Sequence, residues 1–308
     1  MRKVAVVTTG FFDGVHLGHR HVIETVVSSA RERGEEAVVV TFWPHPRTVL
    51  QQDARDFRLL SSLEEKKALL MAAGIDRVEV IPFTKHFAAL TAAEYLELLH
   101  TRFGASQVVM GYDNRIGSDR RTSGEICYSP TVGCADPSQP IITVNPVFCH
   151  SLSQSCHSER SEESISSTRI RKSLEAGDVV KANAMLGYNY GLHGVVVAGN
   201  RMGRTIGFPT ANMQLYEPLK LVPGNGVYAV DVEVTGNLFR GMCNIGTRPT
   251  VGGTARTIET HILDFDEDIY GLPLRISFLG RIRDERKFPS LDALRQQLEE
   301  DRQLCRRM

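Results

Sequence analysis

Apolar positions in the N-terminal part of the chain switch repeatedly between short unbroken runs and a helical period. RKVAVVTTG is an apolar run of strand length, HRHVIETVVSSARERG repeats its apolar residues at helical spacing up to Gly34, and EAVVVTFW is strand-like again. SLEEKKALLMAAG then predicts a helix with a Ser cap and an acidic first turn, VEVIPF a strand, TAAEYLELLHTRFG a helix and QVVMG a strand. Strand and helix in alternation predict an α/β domain, a parallel sheet with helices on both faces. Such sheets bind ligands beyond the carboxyl ends of their strands, where the first strand here delivers Asp13, Gly14 and His16.

From about Tyr188 the pattern changes. YGLHGVVVAGN, NGVYAVDVEVTGNLFRGMCNIG, RTIETHILDF and LPLRISFLGRIR are short β-branched segments punctuated by glycine, with a hairpin signal at VTGNL. A small antiparallel barrel is the economical reading, closed by the helix SLDALRQQLEEDRQLC with Ser290 as its cap. Two domains follow, 1–187 and 188–308, a division that suits a chain of 308 residues. Between the barrel and the sheet strands lies SLSQSCHSERSEES, rich in Ser and charge and without apolar periodicity, which reads as a mobile loop.

Composition removes several function classes. Lys plus Arg and Asp plus Glu balance at 36 each, so no global field draws the protein to nucleic acid or to an acidic membrane. Any anion it binds must be gripped by local geometry. Apolar runs fall short of the roughly 20 residues that cross a bilayer, and no charged-then-apolar leader precedes the first strand, so cytoplasm is the expected location. Six cysteines in a chain of this length are too sparse for a disulfide scaffold, which agrees with a reducing compartment.

The densest chemistry sits in AVVTTGFFDGVHLGH, where His16 and His19 stand beside Asp13 and two glycines. A metal site would need a further ligand, and the neighbourhood supplies only Asp13. A phosphate site uses every unusual residue at once. Gly14 and Gly18 let backbone approach, a helix starting near Gly18 presents free N–H groups, and imidazoles donate to phosphate oxygens. The plain alternative is a turn with no special role.

FFDGVHLGH resembles the signature of the nucleotidyltransferase superfamily, and the chain as a whole is similar to the bacterial bifunctional riboflavin kinase/FAD synthetase family. Further segments that carry the likeness are TFWPHP (41–46), GYDNRIG (111–117), ISSTRIR (165–171), GRTIGFPTAN (203–212) and IETHILDF (258–265). The resemblance implies a Rossmann-like FMN adenylyltransferase followed by a riboflavin kinase barrel, with riboflavin, FMN and ATP as small-molecule substrates, FMN and FAD as products and Mg2+ as cofactor. His16 and His19 would grip ATP. Ser166, Ser167 and Thr168 are hydroxyl donors at a helix start, with Arg169 or Arg171 as a fork for pyrophosphate; alone, that motif is an ordinary cap with solvated arginines. GYDNRIG would bring Asp113 and Asn114 near the flavin or the adenine.

The second half has no G-x-x-x-x-G-K-[ST] loop, so its phosphates must be held differently. By resemblance, Gly207 belongs to the nucleotide turn of GFPTAN, Thr210 and Asn212 supply oxygens to a magnesium–nucleotide, and Glu259 is the base for the terminal ribityl hydroxyl. The strand period puts Ile258 and Ile262 on one face and Glu259 with His261 on the other, as a site-facing carboxylate requires. An exposed strand would alternate in the same way.

The chain departs from the family pattern at Phe11, where many relatives carry Asn, and at Asn114, where an aromatic is usual. It also has an expanded connection around Cys149–Ser164, expected to be a neutral insertion because surface loops tolerate added length. Cys149-His150 and Cys156-His157, with Cys127 and Cys134 at the same offset, raise a zinc site, but the spacing is wider than the usual metal-binding pair. A flavin-binding or regulatory protein without turnover is the alternative from another class, and adenylyl transfer to a different phosphorylated substrate would leave the GFPTAN barrel without a role.

Overall fold

The computed structural model describes residues 3–50, 57–111, 114–121, 141–144, 165–199, 202–250 and 253–308. Asp113 and the Cys/His connection, with Cys127, Cys134, Cys149 and Cys156, lie outside the described residues. The chain divides into two compact units, Met1–Ser167 and Thr168–Met308.

The first unit runs β1 (Ala5–Thr9), α1 (Leu17–Arg33), β2 (Glu36–Trp43), α2 (Pro46–Leu50), α3 (Leu63–Ala72), β3 (Arg77–Pro82), α4 (Lys85–Ala88), α5 (Ala92–Phe103), β4 (Ala105–Gly111) and β5 (Ile141–Val144). Its strands form one parallel sheet in the order β3-β2-β1-β4-β5. The order reverses between β1 and β4, which opens a crevice beyond the carboxyl ends of these two strands.

Alternate residues of each strand serve opposite faces. Val6, Ala37, Val39 and Val109 join Ile23, Val26 and Ala30 of α1 in one buried cluster. Ala5, Val7, Val38, Val40, Val108 and Met110 join Tyr95, Leu96 and Leu99 of α5 in the other. Both faces are covered, which is why the strands read as continuous apolar runs. Helix ends follow their caps. Gly34 closes α1 in the left-handed region, while Ser62 with Glu65 and Thr91 with Glu94 form reciprocal capping boxes at α3 and α5.

The second unit contains α6 (Ser167–Glu175, whose first residue ends the first unit), α7 (Val179–Leu186), β6 (Gly191–Val197), α8 (Met202–Thr205), β7 (Ala211–Leu215), β8 (Gly226–Val234), β9 (Asn237–Thr250), β10 (Gly253–Ile262), β11 (Pro273–Arg283) and α9 (Leu291–Arg307). The strands close an antiparallel barrel in the order β10-β7-β6-β11-β8-β9. Barrel-like segments begin near Tyr188, yet the units divide earlier because α7 packs on β11.

The VTGNL hairpin is present: Val234 pairs with Asn237, and Thr235 and Gly236 between them both take positive φ, the two-residue turn that matches strand twist. Helix α9 lies against the barrel wall through Cys305, which shares a buried cluster with Phe208, Ala229, Met242 and Leu263. Arg283 grips both carboxylate oxygens of the buried Asp301, at 3.1 and 2.9 Å from Nε, and so fixes α9 to β11.

Candidate active sites

In the first unit the chain leaves β1 and turns sharply before α1. Phe12, Gly14 and Val15 all have positive φ, at 52°, 78° and 39°. For a β-branched residue such as Val15 this is a costly conformation, so the surroundings must over-determine it. Asp13 does most of that work. It is buried, and its carboxylate accepts from Leu60 N at 3.0 Å through both oxygens, from Ser61 N at 3.0 Å and from the Ser61 hydroxyl at 3.3 Å. Gly14 N donates to Ser61 Oγ at 3.0 Å, and Ser167 Oγ donates to the Asp13 carbonyl at 3.1 Å. A carboxylate engaged in this way shapes the loop. That leaves the metal alternative without its nearest third ligand, and no cluster of three such ligands occurs among the described residues.

His16 caps α1: its Nδ1 accepts from His19 N at 3.3 Å, which places the ring proton on Nε2. The two imidazoles stack with centroids 3.6 Å apart and planes 17° from parallel. Gly18 makes room for this, because a Cβ there would stand 3.2 Å from the His16 ring and 3.6 Å from Ile165 O. His19 Nδ1 is buried with no hydrogen-bond partner among the described residues. Burial first, then the positive fields of His16 and Lys66, holds the His19 imidazole well below its usual range. Near neutral pH it is therefore an uncharged donor. Together with the N–H groups at the start of α1, the pair has the chemistry to hold an anion.

Beyond the same strand ends lies a cavity of about 300 Å³ lined by Thr9, Phe42, Phe83, Phe87, Tyr95 and Asn114, among others. Its aromatic walls suit a flat, largely apolar ring system. Asn114 Nδ2 donates to Thr9 O at 3.1 Å, and the Thr9 and Tyr95 hydroxyls hydrogen-bond to each other. Burial raises the Tyr95 hydroxyl pKa, so it stays a phenol. Of the motif ISSTRIR, Ser166 and Ser167 belong to the first unit, and Thr168, Arg169 and Arg171 to the second. Thr168 is exposed and the two arginines partly so, while Ile170 between them is buried.

In the second unit β10 pairs antiparallel with β7 so that Glu259 faces Asn212 and Thr260 faces Ala211. Ile258, Thr260 and Ile262 are buried and Glu259 and His261 are partly exposed, the alternation that the strand period predicts. The turn before β7 is clamped. His261 Nδ1 lies 2.8 Å from Pro209 O, Phe208 N donates to Gly203 O at 2.8 Å, and Phe208 itself is buried in the cluster that includes Cys305 of α9. Backbone comes close at two glycines: a Cβ on Gly199 would sit 2.1 Å from Asn212 Nδ2, and one on Gly203 only 2.1 Å from Phe208 O. Gly207 has φ of 82°, which favours glycine. Thr210, Arg204, Asp266, Asp268 and Tyr270 help line a cavity of about 580 Å³, whose lining includes neither Glu259 nor Asn212.

Two features escape a reading of the sequence alone. The aromatic walls come from β2, from Phe83 just after β3, and from α4 and α5, and only the topology gathers them. Lys66 is the second: it is wholly buried on the inner side of α3 with Leu70, its Nζ 3.4 Å from the Phe11 ring centroid. The ten residues of α3 show no clear apolar stripe on which a lysine would stand out.

Comparison with known proteins identifies both halves. The family model described as FAD synthetase matches residues 1–129, and the one described as riboflavin kinase matches residues 186–308. Bifunctional riboflavin kinase/FMN adenylyltransferases of Bacillus subtilis and Escherichia coli K12 are 35% and 36% identical to the chain over 302 and 298 residues. These alignments cover 97% and 96% of it and 90% of each relative. A crystal structure of a protein from Streptococcus pneumoniae that is named as a macrolide-efflux protein superposes with a TM-score of 0.87 at 33% identity, covering 100% of this chain and 95% of that one. Among the described residues no helix is long and apolar enough to cross a membrane. With a histidine-capped loop in an α/β unit, a GFPTAN turn on a closed barrel, and relatives matched across both, the chain belongs to the family of bifunctional riboflavin kinase/FMN adenylyltransferases.

Proposed function

We propose that the two activities of this enzyme, phosphorylation of riboflavin to FMN and adenylylation of FMN to FAD, are carried by separate units: adenylylation by the α/β unit and phosphorylation by the barrel. The observation that carries this reading is the presence of two unlike phosphate-handling loops, one at His16 and one at GFPTAN, in units that each have their own core.

For adenylylation, an FMN phosphate oxygen attacks the α-phosphorus of ATP, a new P–O bond forms and pyrophosphate leaves. The nucleophile is already an anion, so the protein needs no general base. Its work is to hold two anions in line and to oppose the charge that develops. His16, through Nε2–H, and His19 act as donors, helped by Gly14 and Gly18, which keep the backbone close. Ser166 and Ser167, at the end of the same unit, serve the leaving pyrophosphate. The aromatic cavity takes the isoalloxazine ring, with Asn114 at its wall.

For phosphorylation, Glu259 accepts the proton of the terminal ribityl hydroxyl as that oxygen attacks the γ-phosphorus of ATP. Thr210 and Asn212 are the residues that would hold magnesium. They offer neutral oxygens, the chemistry magnesium selects, and Gly199 leaves space for the Asn212 amide, so the donor set fits. Bound there with the nucleotide, the ion would neutralise phosphate charge. The acidic rim of the neighbouring cavity, Asp266 to Asp268, disfavours bare phosphate and is compatible with neutral riboflavin. His261 positions the turn through Pro209. The cytoplasm is the proposed location, in keeping with the sparse cysteines.

Incubating the purified protein with riboflavin, ATP and magnesium, and separating the flavins by chromatography, tests the reading. FMN should appear first and FAD after it. Failure to form FMN from riboflavin would remove the barrel assignment, and failure to form FAD from added FMN would remove the other.

A further inference from the structure

We propose that Lys66 is a positioning residue for adenylyl transfer: from the buried side of α3 it holds the Phe11 ring and the loop leading to His16, and supplies the positive charge that anions at this loop require. The proposal rests on the reading of His16 and His19 as the anion grip.

Three observations carry it. The first is contact. The Lys66 ammonium stands 3.4 Å from the Phe11 ring centroid and 5.9 Å from the Trp43 ring, and donates to Thr41 Oγ1 at 3.5 Å. The Thr41 hydroxyl in turn donates to the Phe11 carbonyl at 3.1 Å. Lys66 therefore touches Phe11 through its ring directly and through its backbone by one hydroxyl, and Phe11 is the first side chain of the strained loop.

The second is cost. Lys66 is 0% exposed. Its charge is favoured by Asp13, but that carboxylate is already engaged by Leu60 and Ser61. A long hydrogen bond and two aromatic faces are thin compensation for a buried ammonium, and an apolar side chain of similar volume would fill the space at lower cost. Stability alone gives no reason for a cation here. The charge requirement of the neighbouring reaction does, because His19 is held neutral and supplies none.

The third is poise. Burial brings the Lys66 ammonium down to about 7. The groups that face it are Asp13 from the β1–α1 loop, His19 from α1, and Thr41 and Trp43 from β2, with His45 edge-on to the other partner, Phe11, at 3.9 Å. Of these Asp13 favours the charge, while burial opposes it. Arrival of two anions adds to the Asp13 side, so the lysine is charged when substrates are bound and partly neutral when they are not.

The test compares both activities on the whole chain. In the unaltered protein, kcat/KM for FMN adenylylation should fall as pH rises through about 7, while kcat, which reports the anion-bound protein, should hold to higher pH. Riboflavin phosphorylation should lack this limb. Lys66→Met should lower kcat/KM for adenylylation by about 10–100-fold at pH 6.5 and abolish the limb, with phosphorylation within about twofold. Lys66→Arg, always charged, should recover part of the loss and also lack the limb. A folded Lys66→Met protein that adenylylates within about twofold of the parent, or keeps the limb, would overturn the proposal. If that variant unfolds, absence of the limb in the unaltered protein overturns it just as well. His16→Ala with His19→Ala separates the two readings: if this variant keeps adenylylation, the site reading itself has failed, whereas if it loses adenylylation and the Lys66 variants do not, only the role of Lys66 is lost.

Discussion

The loop after β1 and the GFPTAN turn before β7, the two proposed phosphate sites, are held by opposite means. The first is anchored by polar atoms deep in the structure: Asp13 accepts from Leu60 and Ser61, Gly14 donates to Ser61, and Phe12 and Val15 carry positive φ within this frame. The second is anchored by an apolar plug and a strand pairing: Phe208 is buried in the cluster that includes Cys305 of α9, and the β7–β10 register sets Asn212 opposite Glu259. A loop that must present two stacked imidazoles at a helix start needs a unique conformation, and buried polar anchors tolerate few alternatives. A turn that presents side-chain oxygens beside a strand inherits most of its precision from the sheet.

The sharpest way to break this comparison is to disable each loop separately. His16→Ala combined with His19→Ala removes donors at the α-phosphorus, each worth about 10²–10³-fold in rate, and should stop the protein at FMN. Glu259→Gln keeps the shape but cannot accept the ribityl proton, and should lower phosphorylation by about 10²–10⁴-fold while FAD still forms from added FMN. Chromatography of the flavins reads both, and circular dichroism confirms folding. If either folded variant loses both activities, the two loops serve one centre and the comparison collapses.

A smaller effect tests the anchors themselves. Asp13→Asn places a donor against the amides of Leu60 and Ser61, leaving buried groups unsatisfied at about 1–3 kcal/mol each. Thermal unfolding should show the loss, adenylylation should fall with it, and phosphorylation should remain. Unchanged stability would mean that the strained loop holds itself.

The smallest effect is a titration. Because the folded protein keeps His19 below the usual 6.5, the unfolded chain binds more protons in the interval between the two values. Stability from the neutral ring is thus complete above about pH 6.5 and is lost as pH falls through the folded value. NMR of the imidazole should show a midpoint below 6.5, and a midpoint at or above it would make His19 a cation at the phosphate.

Local physics explains what was legible in the sequence. Strand β2 covers Glu36–Trp43, the span of EAVVVTFW, because a strand buried on both faces must be apolar throughout. Gly34 ends α1 and VTGNL turns β8 into β9 because left-handed backbone selects glycine and small polar residues. The four- and five-residue helices α2, α4 and α8 and the four-residue strand β5 carry too little periodicity to be read.

The sequence by itself determined the α/β unit, the barrel, the family and the residue types at each candidate loop, because spacing and turn chemistry are written within a few neighbouring positions. Only the tertiary structure decided what those residues face. It set the Asp13 carboxylate on Leu60 and Ser61, gathered Phe42, Phe87 and Tyr95 around one cavity, and brought Lys66 from α3 against Phe11. Those partners lie tens of residues apart in the chain, and burial, charge and hydrogen bonding act between neighbours in space.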